Sequence, residues 1–126
     1  VSTLVQHHPI IIACTRWNKP LRYLENSPLF FMDKVTTPIL IMHNDNDGHV
    51  PWYQGIEFFV SLKRLQKPVW MLNYTGEIHW PQKLENKIDF QKRMKQFFDH
   101  YLKGEKAPDW MMTPKSLLEL ESNPAY

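Results

Sequence analysis

Two short apolar runs constrain this chain more than any other feature. Residues 39–43 (Ile39, Leu40, Ile41, Met42, His43) and residues 69–74 (Val69, Trp70, Met71, Leu72, Asn73, Tyr74) each follow a proline, Pro38 or Pro68, and each stops in a polar loop. A short apolar run bounded by turn residues fits a strand buried on both faces, the type found in parallel sheets. Between the runs, residues 54–67 carry Ile56, Phe59, Val60, Leu62 and Leu65 near the spacing of an amphipathic helix. A second and longer helical stripe covers residues 84–103 through Ile88, Phe90, Met94, Phe97, Phe98, Tyr101 and Leu102, and Gly104 supplies its stop. Both stripes are expected to be core faces. Strand, helix, strand, helix predicts the α/β class, with parallel strands joined by a crossover helix.

The flanks are less regular. Residues 10–14 are a candidate buried strand, residues 20–26 a short helix opened by Pro20, residues 29–35 another short helix or turn, and residues 115–121 a helical candidate in the tail. A chain of 126 residues with 43% hydrophobic and 13% aromatic side chains has room for one core and the apolar surface to fill it. Fifteen basic and 13 acidic residues are interspersed, so no basic face for nucleic acid or a membrane surface is expected. Nor is a membrane span: the apolar stretch before Cys14 is broken by His7, His8 and Pro9. Cys14 is the single cysteine, is expected to be a small buried side chain, and does not decide the compartment. The chain starts at Val1 with no basic leader, which reads as a mature or truncated product.

In parallel sheets the loops at the carboxyl ends of the strands carry ligands and chemistry. Here those loops hold Asp47 and His79. A serine hydrolase needs an imidazole that removes a hydroxyl proton and a carboxylate that orients it, and in α/β-hydrolases the chain order is Ser, then Asp or Glu, then His. Asp47 and His79 match the second and third members. Each also has a simpler reading, Asp47 as the turn-former before Gly48 and His79 as a loop histidine packed on Trp80. Asp45 and Asp47 with His43 and His49 resemble a calcium loop, but His43 stands at its first position and Gln54 at its twelfth, where a carboxylate is required. No metal and no cofactor is expected. Glu77 is expected to face solvent, Trp52 and Tyr53 to pack at the start of a helix, and His49 and His100 to lie on the surface.

Residues 43–51, His43-Asn44-Asp45-Asn46-Asp47-Gly48-His49-Val50-Pro51, resemble the H-G-x-x-D-x-x-V-P loop of the prolyl oligopeptidase and dipeptidyl peptidase IV family. Residues 75–79, Thr75-Gly76-Glu77-Ile78-His79, resemble its G-E-x-H loop, and residues 22–28 are also similar. The resemblance implies the C-terminal portion of an α/β-hydrolase fold, parallel strands with crossover helices, over residues 17–104. Residues 1–16 carry none of it, and residues 105–126 read as a peripheral extension. It further implies a serine peptidase acting on proline- or alanine-type oligopeptides, with Asp47 as the triad acid and His79 as the base.

Two features depart from the pattern. Asn44 stands where glycine is common, a position where tolerance of left-handed turn geometry suits Asn. The nucleophile motif G-x-S-x-G is absent: no two of Gly48, Gly55, Gly76 and Gly104 are four positions apart, and none of the serines 2, 27, 61, 116 and 122 has that setting. The chain is therefore expected to be a fragment, inactive alone, and prone to self-association through unpaired strand edges. The alternatives are a non-catalytic binding module on a hydrolase scaffold, and an esterase or acylaminoacyl hydrolase with the same triad.

Overall fold

The computed structural model describes Thr15 and residues 17–112, in two compact units that divide between Pro81 and Gln82. The candidate strand at 10–14, the candidate helix at 115–121, and Cys14, His7 and His8 lie outside the described residues.

The first unit opens with a short helix, α1 (Pro20–Glu25), and a 3-10 helix over Pro28–Lys34, each with a proline in its first turn, where the missing amide hydrogen is no loss. Strand β1 (Ile39–Met42), helix α2 (Trp52–Arg64) and strand β2 (Val69–Leu72) follow. The strands pair in parallel, Ile39 opposite Val69 through Met42 opposite Leu72, with α2 as the crossover. This register brings the chain out of both strands at the same sheet edge, and His43 N–H donates to Leu72 C=O there at 3.1 Å. The loops that follow are consequently neighbours.

A core forms where α2 and the 3-10 helix meet the sheet. Met32, Leu62 and Val69 are buried there, with Leu29, Val35, Ile39, Ile41, Phe58 and Phe59 packed around them. Each such side chain contributes roughly 1.5–3 kcal/mol when fully removed from water. The strands are less covered than their sequence suggests: β1 is half-buried throughout, and only Val69 of β2 is buried. A two-stranded sheet has two open edges, and α2 is the helix that contacts β2 most in this unit. Within α2, Leu62 is wholly buried but Val60 is exposed, as are Tyr53 at its first turn and Leu65 just past its end.

Among the described residues the second unit holds α3 (Leu84–Lys103) and α4 (Asp109–Met112). Helix α3 ends at Gly104, whose φ of 72° is the left-handed conformation glycine adopts most easily. Its stripe is not the core face expected of it. Phe97 is buried and Phe90 and Met94 half-buried, whereas Ile88, Phe98, Tyr101 and Leu102 are exposed. Asp99 is buried between Lys95 and Lys103 and ion-pairs with both. His100, expected on the surface, is half-buried, and its Nδ1 lies 2.7 Å from the Glu105 carbonyl. No helix among the described residues is long and apolar enough to cross a membrane.

Candidate active site

The loop after β1 folds around the carboxylate of Asp47. Oδ1 accepts the backbone amides of His49 at 2.8 Å and Val50 at 3.0 Å, which closes a turn of the kind Asp forms readily. Oδ2 lies 2.7 Å from Nδ1 of His79, which stands on the loop after β2. The Asp47 side chain is 3% exposed and the His79 side chain 40%. Burial alone would raise the Asp47 pKa. It is outweighed by the Val50 amide, the His79 hydrogen bond, the His49 amide and the attraction of the imidazole, which together lower it from 3.8 to about 2. Asp47 is thus ionised at neutral pH and can only accept, so Nδ1 of His79 carries the hydrogen of this bond and Nε2 is the ring nitrogen left to exchange a proton with another group.

A second histidine lies behind the carboxylate. Nε2 of His43 is 3.2 Å from the Val50 carbonyl and 3.5 Å from Asp47 Oδ2. Both neighbours are acceptors, so Nε2 carries the hydrogen and donates to the nearer carbonyl. The ring is fixed by Trp52, edge-on with centroids 5.5 Å apart, and by Gly55, where a methyl group would come within 2.8 Å of Cγ and closer still to Nδ1. Trp52 is therefore a packing residue, as its position at the helix start suggests.

The two loops are stitched together by side chains of the first. Asn44 donates to the Ile78 carbonyl at 2.7 Å and accepts the Tyr74 amide at 3.0 Å. Asp45 accepts the Gly76 amide at 2.7 Å, and its own amide donates to Asn73 Oδ1 at 3.3 Å. The β2 loop turns tightly at Gly76, with φ 77° and a Glu77 N–H to Tyr74 C=O bond of 3.0 Å. Glu77, expected in solvent, is only 3% exposed because this turn carries it inward. His79 itself stands with its ring edge-on to His49 at 5.5 Å and to Trp80 at 5.8 Å. His49 is exposed, as its place in the loop suggests. A small cavity of about 160 Å³ is lined by Met42, His43, Asp47, Val50, His79 and Trp80. Among the described residues no group of three or more His, Cys, Asp or Glu is arranged to hold a metal ion.

The sequence pointed to Asp47 and His79, and the structure brings them together. Nothing in the local sequence marks Asn44, Asp45 and His43 as partners of that pair. Asn44 does not use left-handed geometry at all: the one non-glycine residue with positive φ among those described is Gln66. The available signal was positional, a short polar pair directly after one strand, level with the loop that leaves its neighbour.

Residues 11–105 match the model of the prolyl oligopeptidase family. The chain belongs to that family. Relatives within it include dipeptidyl peptidase family member 6 of Caenorhabditis elegans, 35% identical over 82 residues, which cover 65% of this chain and 11% of that protein. Dipeptidyl-peptidase 5 of Porphyromonas endodontalis is 34% identical over 82 residues, covering 65% of this chain and 12% of its own length. The human acylamino-acid-releasing enzyme is 35% identical over 66 residues, covering 52% and 9%. Among solved structures, a puromycin-hydrolysing peptidase of Mycobacterium tuberculosis superposes with a TM-score of 0.60 at 25% identity, over 68% of this chain and 14% of that one. The fold is accordingly that of an α/β-hydrolase, of which the parallel β1–β2 pair and its helices are a part. The chain spans 9–12% of the length of these curated relatives.

Proposed function

We propose that this prolyl oligopeptidase family chain supplies the acid and the base of a Ser-His-Asp triad, with Asp47 orienting His79 and the nucleophilic serine coming from outside residues 1–126. Residues 17–104 are then the C-terminal part of a catalytic domain and residues 105–126 an extension of it. The observation that carries this reading is the 2.7 Å hydrogen bond between His79 Nδ1 and a nearly water-free Asp47 carboxylate. With Nδ1 committed, Nε2 takes the serine hydroxyl proton as the oxygen attacks the scissile carbonyl, and returns it to the leaving amine when the C–N bond breaks. Asp47 stays ionised throughout and stabilises the imidazolium that forms between those steps.

The substrate class this supports is a short peptide cleaved after proline or alanine. The similarity to an acylamino-acid-releasing enzyme favours N-acylated peptides as a second class. A panel of dipeptidyl, prolyl and acetyl-aminoacyl chromogenic substrates separates them. This chain alone should turn over none, and a fluorophosphonate should label none of its serines stoichiometrically. In a protein that joins the chain to a G-x-S-x-G region, Asp47→Ala or His79→Ala should lower kcat by roughly four orders of magnitude. Full activity in either variant, or one fully labelled serine in the isolated chain, defeats the assignment. A joined protein that binds peptides without cleaving them supports a non-catalytic module instead.

A further inference from the structure

We infer that Asn44 is a positioning residue: its side chain ties the loop that carries Asp47 to the loop that carries His79, and so holds the imidazole against the carboxylate. The inference rests on the acid–base reading of those two residues. Asn44 is 0% exposed, and both ends of its carboxamide are used by the same five-residue turn. Oδ1 accepts the Tyr74 amide where the turn begins, and Nδ2 donates to the Ile78 carbonyl where it ends. The Ile78 carbonyl shares a peptide plane with the nitrogen of His79, so fixing that oxygen fixes the plane from which the His79 side chain departs. At its other side Asn44 belongs to the acid's loop, and its own carbonyl accepts the Asp47 amide at 3.3 Å. One residue therefore contacts the backbone next to both members of the pair.

Its neighbour Asp45 bonds the same turn from an exposed position, where water competes for each partner. Water cannot replace the Asn44 contacts without opening the site, because the side chain is wholly enclosed. The glycine that the similar family loop usually has at this place lacks a side chain and cannot make either bond.

The test uses the full chain and nuclear magnetic resonance. In the unaltered chain the Tyr74 amide should exchange with solvent roughly a hundredfold more slowly than an unprotected amide. The His79 ring nitrogens should report the Nδ1–H form, which Asp47 selects. Asn44→Ala should lower the Tyr74 protection about tenfold, the effect of one buried hydrogen bond. It should also shift His79 toward the mixture of ring forms a free imidazole adopts, while the His49 and Val50 amides, bonded to Asp47, keep their protection. If Asn44→Ala does not fold, Asn44→Gly, tolerated by the loop's backbone, serves with the same expectation. A purely structural role would lower the melting temperature and leave the His79 ring form unchanged below it; that result overturns the inference. So does an unprotected Tyr74 amide in the unaltered chain, a measurement that needs no variant. Asp47→Asn separates the two claims. A His79 ring form unaffected by that change overturns the acid–base reading and the inference with it, whereas one lost in Asp47→Asn but kept in Asn44→Ala overturns the inference alone.

Discussion

Asp47 keeps its charge in a nearly water-free place because three hydrogens point at it: the amides of His49 and Val50 on one oxygen, and the imidazole on the other. Their effect is larger than the opposing effect of burial, which is why the pKa falls from 3.8 to about 2 instead of rising. A folded-state pKa below the unfolded value contributes stability that is present above about 3.8 and lost as the pH drops toward 2. The full shift would correspond to at most about 2.5 kcal/mol. The partner imidazole is 40% exposed, and screening there reduces this to about 1 kcal/mol. Denaturant unfolding followed from neutral to acidic pH should therefore show a loss of that size in the native chain below pH 4. Asp47→Asn, which has no proton to gain there, should lack this component. Parallel acid profiles for the two proteins would mean that the carboxylate is not held as described.

At the scale of elements, much was legible because backbone periodicity and proline placement are local. Both strands begin at the residues the prolines announce, Ile39 and Val69, and α3 runs over the residues 84–103 that its stripe marks. The adjacency of the two loops also followed, since it needs only a parallel pair. What covers an amphipathic face is not local, and Ile88 and Leu102 show it: both fit the helical period and both are exposed. Side chains that bond across 30 or more residues, as Asn44 does to Tyr74 and Ile78, leave no periodic trace either. Gly55 is a similar case, an ordinary helix residue in sequence whose missing side chain makes room for His43. Alanine at a helix position normally gains about 1 kcal/mol over glycine. Here the overlap with the ring should reverse the sign, so that Gly55→Ala lowers stability by about 1–2 kcal/mol. In a His43→Ala background the same change should be neutral or favourable, and a double-mutant cycle in urea measures the difference. Equal destabilisation in both backgrounds would show that the glycine is required for some other reason.

For the molecule as a whole, the decisive quantity is how little sheet its described residues contain. The described residues pair two strands, and each strand presents one edge without a strand partner in that sheet. Isolated two-stranded units are marginal in water, and open edges are templates for another chain. Large apolar side chains add to this, with Trp17, Leu21, Phe30 and Leu102 all well exposed. Relatives of which this chain spans 9–12% have far more chain with which to extend a sheet and cover such residues. On its own, the chain has a second copy as its nearest source of both edge hydrogen bonds and apolar cover. It should therefore self-associate, with a weight-average mass that rises with concentration in sedimentation equilibrium. Salt should not weaken that association as it would an ionic one, because the contacts are apolar and backbone in kind. A single species of one-chain mass at every concentration would show that the two units cover their own apolar surface without a partner.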